Sequence, residues 1–267
     1  MIDEFSYLVD KNLDFLTILQ NIVDNMLKNS QMKLFISGSH MSLMEQMDNY
    51  SQGLYRRINY KKKLQPFFYD QAALFYPKMK YLDRIKLYSI FGGLPYYLTR
   101  IDDSKSIKDN ILNIALPEMD FTENEIYNNL LQEIRMPAPY LEILDVLADK
   151  KEVKLTTINK KIEKSSAHTS ILLKKLLNLE IIYKVICFGE KENSKKTFYR
   201  IQDPFIRFYY RFIKKYYRQK YYFQNKEDFY NQIIAPDLEH FVSWEFENIC
   251  KHFLIQKYHG EVSRFLY

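Results

Sequence analysis

Cysteine is scarce in this sequence, which holds two such residues, Cys187 and Cys250, and no CxxC pair. A disulfide framework and a structural zinc site both need several cysteines at short spacing, so neither is expected, and a reducing compartment fits best. No run of about 18 apolar residues occurs, which argues against a membrane-spanning helix. Asp3 and Glu4 stand near the N-terminus, unlike the start of a signal peptide. We therefore expect a soluble, cytoplasmic protein.

The composition is that of a packed protein. Hydrophobic residues make up 47% of the 267 positions and charged residues 27%, so disorder is not expected, and the length allows one large domain or two ordinary ones. The net charge of +6 is compatible with a polyanionic partner but does not require one.

The first part of the chain predicts α/β structure followed by helices. Apolar residues from Leu13 to Leu27 recur at helical spacing, and residues 33–39 read as a short strand closed by a Gly/Ser turn. With the segment around Ile2, this gives strand, helix and strand, one crossover of a parallel sheet. Residues 65–135 read as mostly helical, with predicted helices over 67–75, 82–91 and 107–114.

The second part changes pattern after residue 136. Helices are predicted over 140–149, 156–164 and 170–179, and strands over 182–188 and 197–201, which is the order of a winged helix-turn-helix. A long aromatic helix over 203–223, a last helix over 237–258 and the start of a strand from 262 follow. We therefore divide the chain into 1–64, 65–136, 137–203 and 204–267.

Acidic and hydroxyl residues stand at the ends of the two predicted strands. In P-loop ATPases an apolar strand ends in Asp-Glu, where the Asp holds Mg²⁺ through water and the Glu polarises the attacking water. Asp3 and Glu4 fit this pattern, and Ser37 and Ser39 fit a sensor of the γ-phosphate on the neighbouring strand. A solvated helix N-cap and a tight turn are the alternative interpretations.

Two further motifs follow. Arg56 and Arg57 stand where an arginine finger can neutralise charge on a transferring phosphoryl group, although a surface basic patch is the alternative. Gly92 and Gly93 precede Pro95, which lets the backbone come close to a ligand. A helix C-cap followed by a proline is the alternative there.

Taken in order, these motifs resemble the prokaryotic AAA/STAND-type P-loop ATPases common in archaea, which carry a fused winged helix and a C-terminal restriction-endonuclease-like domain. The matching segments are IDEF at 2–5, LFISGS at 34–39, LYRR and KLQP within 54–66, GGLPYYL at 92–98 and YRIQDPFIRF at 199–208. The implied fold is the C-terminal part of an α/β P-loop NTPase sheet with a helical lid, then an α+β winged helix-turn-helix and a helical C-terminal segment.

The resemblance implies ATP and Mg²⁺ as ligands and assigns a role to each matching residue. Those roles are metal ligand for Asp3, catalytic base for Glu4, sensor for Ser39 or Ser37, finger for Arg57, and adenine contacts for Gly93 and Pro95. The family usually has Gly where Arg56 stands, so the choice between Arg56 and Arg57 is open.

One motif of the family is missing, because no GxxxxGK[ST] occurs in the sequence. Without its backbone amides and lysine the phosphates have no cradle. A fragment, a misplaced gene start and a broken gene all explain this, and we expect little ATP hydrolysis by these 267 residues alone. The expected function is an ATP-binding protein that couples nucleotide state to a winged helix, and the alternatives are a DNA-binding regulator and an inactive remnant.

Duplex DNA is the candidate partner of the predicted winged helix, whose third helix and wing suit base and phosphate contacts. The candidates are His168, Lys174, Lys175, Lys195 and Lys196. A protein-interaction module is the alternative, and self-association is left open. The basic, aromatic helix after Asp203 suits either single-strand stacking or a core stripe, and we favour the core. Glu247 resembles an acid of the nuclease-like domain, without its partners.

Overall fold

The computed structural model describes residues 1–47 except residue 13, then 54–116, 128, 134, 136–187, 189–191 and 196–258. Leu13, Lys195 and the strand predicted from residue 262 lie outside this part. The chain divides into two compact units, the first made of Met1–Leu64 with Asn129–Arg135 and the second of Gln65–Asn128 with Met136–Tyr267. None of the described helices is long and apolar enough to cross a membrane.

Unit one contains short helices around a small apolar core. They are α1 (Phe5–Lys11), α2 (Asp14–Ile22), extended by a π-helical turn (Val23–Leu27), and α3 (Met41–Gln46). The sequence predicted α2 but not α1, which is separated from α2 by the extended backbone of Asn12. The Asn12 side chain accepts a 2.9 Å hydrogen bond from the Asp14 N–H and so starts the second helix. The buried core consists of Phe5, Val9, Leu16, Leu19, Met47 and Leu54.

Two extended segments of unit one pair in parallel at Ile2 and Ile36. The Ile2 N–H donates to the Phe35 carbonyl at 2.8 Å, and the Ser37 N–H donates to the Ile2 carbonyl at 3.0 Å. The strand predicted over 33–39 is thus reduced to a single bridge. Within the described part of this unit no third extended segment pairs with these two, so nothing extends the ladder.

Unit two begins with short helices, three of which lie where the sequence predicts them. They are α4 (Tyr69–Ala72) with a 3₁₀ turn (Ala73–Phe75), α5 (Tyr81–Phe91), α6 (Pro95–Leu98) and α7 (Ile107–Asn110) with a π-helical turn (Ile111–Ala115). Helix α6 was not predicted. It begins at Pro95, whose fixed φ and missing N–H suit the first position of a helix.

The next region has the order helix, strand, helix, helix, strand, strand. The elements are α8 (Ala138–Ala148), β1 (Val153–Lys154), α9 (Leu155–Ile162), α10 (Ser166–Asn178), β2 (Ile182–Val185) and β3 (Phe198–Ile201). The strands form one antiparallel sheet in the order β1-β3-β2, with Val153 opposite Tyr199 and Ile182 opposite Ile201. Strand β1 was not predicted because two residues are too few to show an alternating pattern.

The last elements run along the chain after Gln202. They are α11 (Pro204–Phe208), a π-helical turn (Tyr209–Ile213), a 3₁₀ segment (Lys214–Tyr222), α12 (Lys226–Phe229), a π-helical turn (Tyr230–Ile234) and α13 (Ala235–Tyr258). Phe205, Phe208, Tyr209 and Phe212 are buried. The prediction that this aromatic run forms a core stripe is confirmed for these four residues, while Tyr216 of the same run is only partly buried. The Arg207 side chain within the run is buried as well.

The glycine motif at 92–93 packs against the start of α11. A methyl group on Gly92, whose φ is +68°, would stand 3.0 Å from Pro204 Cδ, and one on Gly93 would stand 1.8 Å from the Phe67 carbonyl oxygen. The Phe67 N–H donates to the Gly93 carbonyl at 2.9 Å. Beside them, the ring centroids of Tyr97 and Phe205 are 4.1 Å apart. Close packing within unit two therefore requires both glycines.

A buried ionic cluster joins β3, α11 and α13. Glu245 accepts hydrogen bonds from Arg207 and, at 3.2 Å, from Arg200, and all three side chains are less than a tenth exposed. Arg200 also donates to the Trp244 carbonyl at 2.8 Å. Burial lowers the pKa of Arg200, and the neighbouring Arg207 adds to this shift. The single carboxylate of Glu245 thus compensates two buried cations.

Candidate functional site

The parallel bridge of unit one places the predicted acids beside the predicted hydroxyls. The Ser37 hydroxyl donates to Asp3 Oδ1, and the Ser39 hydroxyl donates to Glu4 Oε2 at 2.9 Å. Each acid therefore has its own serine partner, more than thirty residues away in the sequence. Because the two segments run parallel, all four side chains follow the carboxyl ends of their segments at one edge.

The backbone around this cluster is fixed by local contacts. The Phe5 N–H donates to the Ser37 carbonyl at 2.8 Å, so the first residue of helix α1 is hydrogen-bonded to the opposite segment. Glu4 occupies the N-cap position of α1 in left-handed backbone (φ 50°, ψ 39°), but its side chain does not cap the helix. A non-glycine residue pays about 1–2 kcal/mol for this conformation. The N-cap interpretation of Glu4 is therefore wrong for its carboxylate, which is bound by Ser39 instead.

Gly38 stands between the two serines in a tight position. A methyl group there would lie 2.7 Å from Met44 Sδ and 3.1 Å from Ser6 Oγ. The close approach of helix α3 explains the small residue without requiring a ligand. Gly38 also keeps the two hydroxyls two residues apart, so both face the acids of the other segment.

The cluster offers hard oxygen donors that a ligand can reach. Asp3, Glu4 and Ser39 are exposed, and Ser37 is partly buried. Among the described residues no group of three or more His, Cys, Asp or Glu side chains could hold a metal ion. Mg²⁺, however, is commonly held by one or two carboxylates together with water and substrate phosphates. The donor set fits such a phosphate-completed Mg²⁺ site and does not fit an all-protein cage.

Arg57, the predicted finger, is held by an acid that the sequence did not single out. Its Nε lies 2.7 Å from Asp24 Oδ1 and its Nη2 lies 2.7 Å from Asp24 Oδ2, a bidentate pair. The Arg57 hydrogen bond lowers the pKa of Asp24, and the Asp24 hydrogen bond raises the pKa of Arg57. Arg56 has a φ of 60°, in the region that favours glycine, which explains why the resembling family carries Gly there. The finger role stays a prediction.

Gly93 and Pro95 belong to unit two, and their predicted adenine contact stays a prediction. The backbone of Gly93 packs directly against the backbone of Phe67 and is hydrogen-bonded to it. Pro95 is the first residue of α6. The helix C-cap interpretation fits Gly92, whose N–H donates to the Tyr88 carbonyl at 2.9 Å.

The candidate DNA-binding residues lie on α10 and the following hairpin. His168 and Lys174 are exposed on α10, and Lys175 is partly buried. The His168 N–H donates to the Ser165 hydroxyl at 3.2 Å, which caps the helix. Lys196 forms a 2.6 Å ion pair with Glu190. The charge of Lys196 is therefore balanced by a neighbouring acid, whereas the sequence predicted that it contacts a phosphate.

Comparison with known proteins supplies three matches. Residues 209–266 match the DUF234 family, described as archaeal and bacterial proteins of unknown function. The chain is 30% identical over 263 residues to an uncharacterized protein of Methanocaldococcus jannaschii, covering 96% of this chain and 57% of that protein. It thus spans little more than half the length of this relative.

Among solved structures, the chain is similar to the Walker-type ATPase of Pyrococcus abyssi, with a TM-score of 0.55 and 18% identity over 78% of this chain and 61% of that one. Over most of its length, the chain has the fold of a Walker-type ATPase. The prediction of an ATPase-type fold is confirmed. At 18% identity, the similarity is evidence for the fold and not for an activity.

Proposed function

We propose that the chain carries the Walker-B side of a nucleotide-dependent ATPase and couples it to a winged helix. The observation that supports this most strongly is the pairing of Asp3 with Ser37 and of Glu4 with Ser39 across one parallel bridge. In an ATPase-type fold, acids and a polar sensor on neighbouring strands belong at the phosphate end of the nucleotide. The fold similarity gives independent support.

The two acids have separate roles in this proposal. Asp3 would hold Mg²⁺ when MgATP is bound, while its Oδ1 accepts a hydrogen bond from the Ser37 hydroxyl. Glu4 accepts a proton from the attacking water through Oε1, since Ser39 already donates to Oε2. MgATP supplies the metal charge and the phosphoryl group when it is bound. The serine hydroxyls fix the direction of both carboxylates before the ligand arrives, which lowers the entropic cost of positioning them.

The winged-helix part rests on the order of elements between Ala138 and Ile201. The segment contains three helices. The short strand after the first helix and the terminal hairpin form one three-stranded antiparallel sheet in the order β1-β3-β2. This order supports a winged helix with α10 as its third helix. We propose that this module responds to the nucleotide state.

The 267-residue chain itself allows a direct test by NMR. Titration with millimolar MgATP should shift the backbone amide signals of residues 3–4 and 37–39, and Asp3→Asn should abolish the shifts, whereas Asp70→Asn, a matched change in unit two, should not. Shifts confined to other residues would contradict the proposed site. If no signal shifts at all, the result would support the alternative that the chain is an inactive remnant.

Calorimetry gives a second check on the same protein. Because the sequence holds no GxxxxGK[ST] loop, we expect no saturable binding of MgATP at micromolar concentration. A dissociation constant below about 10 µM, equivalent to about −7 kcal/mol, would show that this chain holds the phosphates by another route.

A further inference from the structure

One helix–turn–helix segment of the chain is strongly basic. Residues 154–178, which span α9 and α10, contain six lysines and one glutamate, a net charge of +5. The whole chain carries +6, so the other residues together contribute +1. Residues 56–63 and 207–220 are also basic, with net charges of +5 and +6, and each such segment can attract polyanions.

Five lysines of this segment are exposed. Lys154 lies over the Phe198 ring, and we call the other four the lysine face: Lys160, Lys161, Lys164 and Lys174. Within the described part of the chain, none of the four forms an ion pair with a carboxylate. The exposed side of α10 also carries Ala167, Ser170 and Ile171, and Ile171 is 68% exposed. No acid stands on this side of the helix, and its small residues allow a close approach of another molecule to the backbone.

Several cations of the basic run at 207–220 are paired within the chain. Arg207 contacts Glu245, Arg211 contacts Asp237, and Lys215 lies 3.0 Å from Asp149. Lys196 in the hairpin is likewise paired with Glu190. These cations are committed to contacts within the chain, and the lysine face is not. Lys196 is therefore a poorer candidate for phosphate contacts than the sequence predicted.

We propose that the lysine face binds duplex DNA, with α10 lying in the major groove and the end of α9 beside the phosphate backbone. The groove of B-DNA admits one helix, and in helix-turn-helix proteins the preceding helix crosses the backbone. The exposed Ile171 is placed to contact sugar or thymine methyl groups. The proposal rests on the winged-helix part of the proposed function and is independent of the ATPase part.

Fluorescence anisotropy of the full chain with a labelled 24-base-pair duplex, without nucleotide, tests this. Four neutralised phosphates predict a log–log salt slope of about −3.6, or on the order of a hundredfold loss of affinity between 50 and 200 mM salt. Replacing all four lysines of the face by Gln should bring the slope close to zero. Lys174→Gln alone should flatten it by about 0.9.

The matched control removes the same charge elsewhere. It replaces four exposed lysines outside the segment by Gln: Lys62, Lys80, Lys226 and Lys251. This variant should keep the slope of the wild type, and circular dichroism should show that all variants are folded. Equal weakening in both quadruple variants, no binding at 50 mM salt, or tighter binding to an RNA duplex or to phosphatidylserine vesicles than to DNA would each overturn the proposal.

Discussion

Ser39 and Glu4 stand 35 positions apart in the sequence, yet the Ser39 hydroxyl lies 2.9 Å from Glu4 Oε2. The contact depends on a single parallel bridge and on the left-handed backbone of Glu4. Backbone in this region is concentrated at functional sites, where the surrounding structure holds it. The same bridge brings Ser37 to Asp3, so one local arrangement orders both acids.

Gly93→Ala should destabilise unit two severely. The added methyl group would stand 1.8 Å from the Phe67 carbonyl oxygen, and neither backbone segment can move without breaking the hydrogen bond between them. We expect a loss of about 3 kcal/mol or more in the free energy of unfolding, measured with urea. Gly189→Ala, where no atom lies within 4 Å but φ is +77°, should cost about 1 kcal/mol. Equal costs for the two variants would show that Gly93 has no packing role.

The sequence predicted most helices of unit two because their apolar residues recur over two or more turns. It missed α6 and β1, which are too short to show a period. It also missed α1, which begins directly after Glu4 and ends at the extended backbone of Asn12. The strand over 33–39 was predicted from a short apolar run closed by a Gly/Ser turn. A ladder also needs a paired segment, and within the described part of unit one the pairing is limited to one bridge.

Glu245→Ala should strongly destabilise the protein. It would leave Arg200 and Arg207 buried without a carboxylate, and breaking such a buried pair typically costs about 3–5 kcal/mol. Glu247→Ala is the matched control, because Glu247 also forms an ion pair, with Lys151, but its side chain is 56% exposed. That change should cost less than about 1 kcal/mol. Urea unfolding of both variants separates the cases, and similar midpoints would contradict the structural importance of the cluster.

Asp203 should make stability depend on pH. Burial raises the pKa of its carboxyl from 3.8 to about 6, although hydrogen bonds from the Ile206 and Phe205 N–H groups and the charge of Arg207 oppose the shift. The folded state then holds the proton more tightly than the unfolded state. The stability from this group is present below pH 4 and is lost as the pH rises towards 6.

Asp203→Asn isolates this effect, because Asn also caps helices but does not titrate. Relative to the wild type, the variant should gain stability as the pH rises from 4 to 7, measured by urea unfolding at several pH values. A constant difference would show that Asp203 does not titrate in this range. If the wild type instead gained stability relative to the variant as the pH rises, the folded protein would stabilise the charged form of Asp203.

The candidate site was predictable in its members but not in its contacts. Asp3, Glu4, Ser37 and Ser39 were recognisable from motif order, yet which acid meets which serine depends on the register of the bridge. Asp24 carried no signal, because its partner Arg57 is 33 residues away and helical periodicity gives no information on it. The balance of charge between Lys196 and Glu190 was likewise a matter of three-dimensional geometry.

The most direct measurement is ATP hydrolysis by a protein in which this chain is joined to a phosphate-binding loop, comparing Glu4→Gln with Glu45→Gln. Glu45 is an exposed acid of unit one outside the cluster. If Glu4 is the base, its replacement removes transition-state stabilisation more than ground-state affinity, and loss of general base catalysis is typically about 10²- to 10⁴-fold. We predict a loss of turnover in that range with MgATP affinity retained in Glu4→Gln, and no change in Glu45→Gln. Unchanged turnover in Glu4→Gln, or equal loss in both variants, would contradict the assignment.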